Sequence, residues 1–382
     1  LRRCCEALLR QDYPGTVHVY LVDDGSPNRP DVLELLAAYG GLPRWTVLLP
    51  DTNRGKWHAQ DLAIRQCTSE LVLTIDSDTQ VAPDGITRMV EQFDDDAVGA
   101  ATGSVRVSNA ATNLLTTLID LRYWVAFHQE RASHGLFGAV LCCSGPLSMY
   151  RRHVLADVWP RYVSQTFRGA PCTYGDDRRL TNYALREGRV LLVPEAVAWT
   201  AAPERLRHYV RQQLRWSRSF IRESLWAITH LPLRRPATWL ALAEFTTWAL
   251  FTFVLLTVAV TAPAAGLRLG LVTVVAYLVI ASVMSWLRAV RWFDAGVEHE
   301  SRSERMRTFL LAPMYALLHV FVLVPLRLVA LCTLRTSGWG TRRGVEVRVD
   351  AATIRATVGR PGPAPHHRAA PRVPSSRHPS PR

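Results

Sequence analysis

Tyr174-Gly175-Asp176-Asp177-Arg178-Arg179-Leu180-Thr181-Asn182 sets two adjacent carboxylates between a glycine and a run that reads as a helix start. An aspartate just ahead of a helix commonly caps its free N–H groups. Taken alone, the stretch says no more than that. Two further Asp pairs lie upstream, Asp23-Asp24 and Asp76-Ser77-Asp78, and Gln212-Gln213-Leu214-Arg215-Trp216 lies downstream. Together they turn the cap into a candidate catalytic centre.

Upstream of it, apolar runs alternate with charged, Gly- and Pro-marked turns, the pattern of an α/β domain. Residues 1–11 read as a helix and residues 17–22 as a buried strand ending at Asp23-Asp24-Gly25-Ser26. In open α/β sheets ligands sit at the carboxyl ends of strands, so Asp23 and Asp24 could meet a ribose or base edge. A plain Asp-Gly turn is the alternative. A helix (31–39) and a strand (45–49) lead to Asn53-Arg54-Gly55-Lys56, which opens another helix. A Gly-Lys pair there can hold phosphate oxygens. It is not a P-loop, lacking the upstream Gly and the Ser/Thr after Lys.

Residues 71–75 form the clearest buried strand and run into Asp76-Ser77-Asp78. Two carboxylates two residues apart can share one hard divalent cation that also bridges a diphosphate. Asp94-Asp95-Asp96 reads as a solvated turn, 98–107 as a strand, and 112–133 as a long helix. Residues 140–150 are apolar with small residues at their middle, including Cys143, Ser144 and Gly145. Small residues let a ligand approach closely; a strand bent at Gly145-Pro146 is the other reading.

The 382 residues carry a net charge of +13, most of the excess after residue 200 and beside apolar segments. That placement favours anionic lipid and the positive-inside rule over nucleic acid. Lys56 is the only lysine, which suggests that a compact point charge is wanted there. The seven cysteines show no zinc spacing and read as reduced thiols. Residues 205–228 are Arg-rich and amphipathic, with Leu206, Val210, Leu214, Ile221 and Leu225 at helical spacing and Arg207, Arg211, Arg218 and Arg222 between them. This predicts a helix on a membrane surface. Residues 238–260 and 269–287 are long enough to span a bilayer. Residues 309–331 carry Pro313, Pro325 and Arg327 and are expected to form a broken re-entrant or interfacial pair instead. Residues 350–382, rich in Pro, Arg, His and Ser, are expected to be disordered.

Seven motifs, in order, resemble the processive family 2 glycosyltransferases: Asp-Asp-Gly-Ser, Asn-x-Gly-Lys, Asp-Ser-Asp, Cys-Cys-Ser-Gly-Pro-Leu-Ser-Met-Tyr-Arg, Gly-Asp-Asp-Arg-x-Leu-Thr-Asn, Gln-Gln-x-Arg-Trp and Trp-Gly-Thr-Arg. The run 142–148 and Ser219-Phe220-Ile221-Arg222-Glu223-Ser224 look like the bacterial (streptococcal-type) hyaluronan synthases. Gln213-Leu214-Arg215-Trp216 looks as much like the nodulation chitooligosaccharide synthases. The resemblance covers residues 1–345 and implies a GT-A fold with inverting transfer from UDP-sugars by Mg2+ or Mn2+. The growing polysaccharide would leave through the enzyme's own helices in the cell membrane, with the catalytic domain cytoplasmic.

Carried over by position, Asp23 and Asp24 would meet the uridine and Lys56 the nucleotide, and Asp76 and Asp78 would hold nucleotide and metal. Asp177 would be the general base with Asp176 beside it, kept ionised by the helix dipole. Gln212, Arg215 and Trp216 would line the acceptor and diphosphate site, with Cys143, Ser144 and Gly145 in the acceptor pocket. Trp339, Gly340, Thr341 and Arg342 would gate the site. The expected division is a catalytic domain (1–200), interface helices (201–232), a membrane region with two spans and one non-crossing segment (233–331), the gate (332–349) and a tail (350–382). The expected donors are UDP-GlcNAc and UDP-glucuronate. Trp57 departs from the basic residue usual after this lysine. The chain opens on Leu and a helix, so the first strand of the nucleotide fold and the amino-terminal membrane helices are expected to be missing. A membrane scaffold without turnover is the alternative from another class.

Overall fold

The computed structural model describes residues 1–336 except 27–28, 51–54, 157, 159–160, 163, 173, 265–266 and 295–300. Helix α1 (Arg2–Leu9) buries Cys4, Cys5 and Ala7. Strands β1 (Val19–Val22) and β2 (Trp45–Leu48) pair in parallel, Val19 opposite Trp45, through the crossover helix α2 (Arg29–Gly40). A parallel pair needs such a crossover, because a tight turn cannot return the chain in the same direction. Helix α3 (Lys56–Ile64) then leads to the main sheet.

That sheet has five strands in the order β3 (Leu71–Thr74), β6 (Ser148–Arg151), β5 (Val98–Val107), β9 (Arg189–Thr200), β4 (Gln80–Val81). Only β5 and β9 run parallel; the other pairs are antiparallel, so the sheet is mixed. Helix α4 (Gly85–Val90) and the Phe93 turn cover one face, where Met89, Leu147, Val98 and Ala198 are buried together. The other face holds Trp57, Tyr150, Leu155, Leu180 and Leu185. These come from α3, β6, α7 (Arg152–Ala156) and α8 (Asp176–Glu187). Between them lie α5 (Leu114–Val125), a π-turn (Ala126–Arg131), α6 (Ala132–Gly135) and a small hairpin, β7 (Thr166–Phe167) and β8 (Ala170–Pro171). Within 140–150 only the end is strand; the small residues form a loop. At 94–96, the turn is also tied down, since Asp95 pairs with Arg189 at 3.0 Å.

Four long elements follow: α9 (Leu206–His230), α10 (Pro236–Ala264), α11 (Leu267–Ala289), and a run of α12 (Arg302–Leu318), a π-turn (His319–Leu323) and α13 (Val324–Cys332). Among the described residues, three helices could cross a membrane by length and composition: Pro236–Val258, Leu271–Trp292 and Arg302–Cys332.

Two expectations are corrected here. The segment around Pro313 and Pro325 is not a broken pair; it is one helical run, and the π-turn ahead of Pro325 absorbs the hydrogen bond that proline cannot donate. Helix α9 turns Arg207 to water but not all of its arginines. Arg218 and Arg222 are buried while Leu206 and Leu225 are exposed, because both guanidiniums find partners inside.

Candidate active site

The site forms where β3, the 143–147 loop and the start of α8 converge. Asp76 lies two residues past the end of β3. Helix α8 begins on Asp176 rather than after it, so neither aspartate is the N-cap. That position is Gly175, in the left-handed region at φ 100°, which a side chain rarely adopts. A Cβ there would also meet Ser219 Oγ of α9 at 2.4 Å. Glycine is thus required twice over at the residue that aims the two carboxylates.

Lys56, at the first position of α3, sits among three of the aspartates. Its Nζ lies 2.8 Å from Asp76 Oδ1, 2.8 Å from Asp176 Oδ2 and 3.7 Å from Asp177 Oδ1. Burial opposes its charge, but the three carboxylates outweigh it and hold the ammonium well above its ordinary pKa. Asp24 Oδ2 accepts the Gly55 N–H at 2.8 Å, so that donor is used within the protein and is not the open phosphate donor expected. Asp23 accepts from the Ser26 N–H and hydroxyl, at 3.1 and 2.5 Å.

The two aspartates that open α8 separate in pKa. Burial raises that of Asp176, but Lys56 overcomes it and the net shift is downward. Burial and the adjacent Asp176 push Asp177 well above the ordinary carboxylate range, against the weaker pull of Lys56. Against the helix-dipole pull expected for Asp177 stands a near neighbour of like charge in a crowded site, which favours the protonated form. Accessibility separates them too, with the Asp176 side chain 7% exposed and that of Asp177 37%.

The loop from Cys143 closes over these groups. Cys143 N–H donates to Thr181 Oγ1 (2.8 Å), which donates to the Asp177 carbonyl (2.6 Å), and Ser144 N–H donates to Thr102 Oγ1 (3.1 Å). A Cβ on Gly145 would fall 2.7 Å from Asp76 Oδ2 and 3.2 Å from Asp177 Oδ1. The close approach that the small residues permit is thus made by the protein's own carboxylates. Burial pushes the Cys143 thiol up to about 12, so it is a neutral lining group and not a nucleophile.

Arg215, on α9, is brought to the same place: Asp176, Asp177 and Asp76 all act on its guanidinium, though burial still lowers its pKa. Gln212 Oε1 is buried without a hydrogen-bond partner among the described residues. Trp216 is 41% exposed and stands beside Tyr123, with ring centroids 6.4 Å apart. Asp78 lies on the other side of the turn, where Thr200 Oγ1 donates to it at 3.4 Å. Burial first, then Asp76, raises its pKa to about 6. Two crowded carboxylates of this kind fit a hard divalent cation, which would relieve their repulsion with oxygen donors alone. The gate residues 339–342, and Asn53 and Arg54, lie outside the described residues.

Sequence reasoning missed the supports behind this cluster. Arg179 and Glu223 form a two-point ion pair at 2.6 and 3.1 Å between α8 and α9. Arg222 donates to the Tyr174 carbonyl at 3.0 Å and lies over its ring at 4.4 Å. Tyr174 Oη donates to the Thr336 carbonyl at 2.5 Å, and Arg218 reaches Thr333 Oγ1 at 2.8 Å. The available signal was the charge at positions 218, 222 and 223, one face of an otherwise amphipathic helix.

The family model for "Glycosyltransferase like family 2" matches residues 1–219. An N-acetylglucosaminyltransferase of Mesorhizobium japonicum is 41% identical over 344 residues, covering 90% of this chain and 78% of the relative. A hyaluronan synthase of Streptococcus pyogenes is 38% identical over 349 residues, covering 90% and 80%. A mannosyltransferase of Pyrobaculum calidifontis, solved with GDP-Man and Mn2+, shares the fold at 21% identity and a TM-score of 0.54, over 83% of this chain and 81% of that one. With its carboxylates gathered at the ends of a mixed sheet and these relatives along most of its length, the chain belongs to glycosyltransferase family 2.

Proposed function

We propose that this glycosyltransferase is a membrane-bound processive synthase that transfers sugars with inversion from UDP-GlcNAc and UDP-glucuronate to a growing β-linked polysaccharide, hyaluronan. The observation that carries the reading is the gathering of Asp76, Asp176 and Asp177 on Lys56 with Arg215 facing them. Transfer needs a base on the acceptor hydroxyl and neutralisation of the leaving diphosphate. Asp177, the more exposed carboxylate and the one with the raised pKa, takes the acceptor proton as the new bond to the sugar C1 forms and the bond from C1 to the diphosphate breaks. Asp176 stays ionised and holds Lys56 in place. Arg215 meets charge developing on the diphosphate, and Trp216 offers an open face on which an acceptor sugar stacks. Asp76 and Asp78 would hold Mg2+ or Mn2+, which supplies Lewis-acid charge neutralisation at the diphosphate. Asp23 and Asp24 would bind the uridine.

The sugar assignment draws on the relatives' names and on the runs 142–148 and 219–224. The second reading, a chitooligosaccharide synthase using UDP-GlcNAc alone, is favoured by the relative at 41% identity. Membranes carrying the protein would be given labelled UDP-GlcNAc with and without UDP-glucuronate, and the product digested. A polymer that needs both donors and is cut by a hyaluronan lyase is expected. A polymer from UDP-GlcNAc alone that chitinase cuts would transfer the assignment to the second reading, and absence of UDP release from either donor would leave a scaffold.

A further inference from the structure

The catalytic domain exposes two large apolar side chains at one tip: Leu136 is 84% and Phe137 60% exposed. They sit between Gly135 and Gly138, and Gly138 turns the chain at φ 60° against the Arg189 side chain. The tip is not remote from the apolar helices. Ala139 and Val140, just after it, belong to one buried cluster with Ala237 and Ala241 from the first two turns of α10. Arg235, one residue ahead of α10, donates to the carbonyls of Arg186 and Glu187 at 3.1 and 2.9 Å, beside Arg189. On either side of Arg235 in the chain, Leu233 is 69% and Trp239 57% exposed, and Trp239 Nε1 donates to the Leu233 carbonyl at 2.9 Å.

An exposed Leu-Phe tip level with the start of an apolar helix, bordered by Trp and Arg, has the chemistry of a bilayer interface. Aromatic rings settle at headgroup depth, and arginines meet lipid phosphates. Water around a loop carrying only these two side chains would be costly for no structural return, since neither packs on the domain. We propose that the loop 135–138 is a membrane anchor of the catalytic domain, which inserts Leu136 and Phe137 into the interfacial zone of an anionic bilayer beside α10. Its effect is to fix the tilt of the domain on the membrane. The proposal rests on the reading of the chain as membrane-bound.

The test uses the whole chain in nanodiscs of phosphatidylcholine and phosphatidylglycerol, with Cys332→Ser removing the exposed native thiol. With the half-buried Cys67 and Cys142 also changed to Ser, one cysteine at a time replaces Phe137, Phe253 on the exposed face of α10, or Glu91 on the sheet face opposite the cluster that holds Ala237 and Ala241, and each carries an environment-sensitive fluorophore. Lipid bearing a quencher near the headgroup end of the acyl chain is then added. The expected result is that the label at 137 loses half or more of its emission while that at 91 loses none. Equal emission at 137 and 91, with the label at 253 quenched, overturns the anchor and leaves the membrane reading standing. No quenching at 253 either would overturn both. Should Phe137→Cys fail to fold, Leu136→Cys gives the same reading. As a second arm, Leu136→Asp combined with Phe137→Asp should abolish protection of residues 134–140 from hydrogen exchange on adding bilayer; unchanged protection counts against the anchor.

Discussion

Asp176 and Asp177 are chain neighbours whose surroundings shift their pKa values in opposite directions, Asp176 down through Lys56 and Asp177 up through burial and Asp176. Asp177→Asn is expected to bind UDP nearly normally and to turn over about 10²–10⁴-fold more slowly, with Asp176→Asn milder in UDP release. Near-normal polymer synthesis by Asp177→Asn would reverse the roles. The pKa directions give a second signature. A folded-state pKa raised above the unfolded value means that the native state binds the proton more tightly, so stability falls as pH rises from the ordinary carboxylate range through the folded value. Asp177→Asn should remove that decline and melt higher than the wild type at neutral pH, though inactive, while wild-type turnover should fall as pH drops through the same raised value. Asp176 has the opposite sign, and its contribution is lost as pH falls through its lowered value. Lys56→Arg should cost at least about tenfold in rate, or ~1.4 kcal/mol, because a planar fork cannot replace a point charge shared by three carboxylates. Asp78→Asn should abolish Mn2+-dependent UDP binding, read by calorimetry. The sequence disclosed these residues through chemistry that recurs at strand ends. It could not disclose that Lys56 turns to Asp176, since a lysine's partners are set by side chains 20 to 120 positions away.

Helix α9 shows what one element's periodicity conceals. Its spacing gave the helix, but two of the arginines that looked solvent-facing, Arg218 and Arg222, are buried, because the Thr333 hydroxyl and the Tyr174 carbonyl accept their hydrogen bonds from far along the chain. Glu223→Gln should destabilise the protein by about 3 kcal/mol, since breaking a buried ion pair leaves Arg179 without its counter-charge; thermal unfolding in detergent measures it. Tyr174→Phe keeps the ring under Arg222 and removes only the bond to the Thr336 carbonyl, at a cost of about 1 kcal/mol. If that bond matters to synthesis, the variant should lose polymer length more than UDP release, and equal losses would assign Tyr174 to stability alone. Strand β3 and the Asp76 turn were legible because an apolar run of strand length ending in acids has few other solutions. The 143–147 loop was not, because apolar small residues fit a strand and a tight loop alike.

At the scale of the molecule, the question that the apolar segments pose is which of them cross the bilayer. Length and composition admit Arg302–Cys332 alongside the two before it, and a run of 31 residues extends for roughly 46 Å. Its contacts argue against a crossing. Ala312 packs with Leu121 and Trp124 of α5, Leu323 and Leu326 pack with Ile119 and Tyr209, and Thr333 meets Arg218. A helix held against α5 and α9 from Ala312 to Thr333 lies along those helices, whereas a crossing helix would leave them after a turn or two. Arginines flank it on both sides, at 302, 305 and 307 and at 335, 342 and 343, and by the positive-inside rule we propose that both groups lie on the cytosolic side. On this proposed topology α10 and α11 are the two spans, and Thr336, the last described residue, accepts a hydrogen bond from Tyr174. A cysteine placed at Thr341 should therefore react with an impermeant maleimide only after cells are opened. Labelling of that cysteine from outside intact cells would make the last run a third span and would remove Trp339 and Arg342 from any role at the nucleotide.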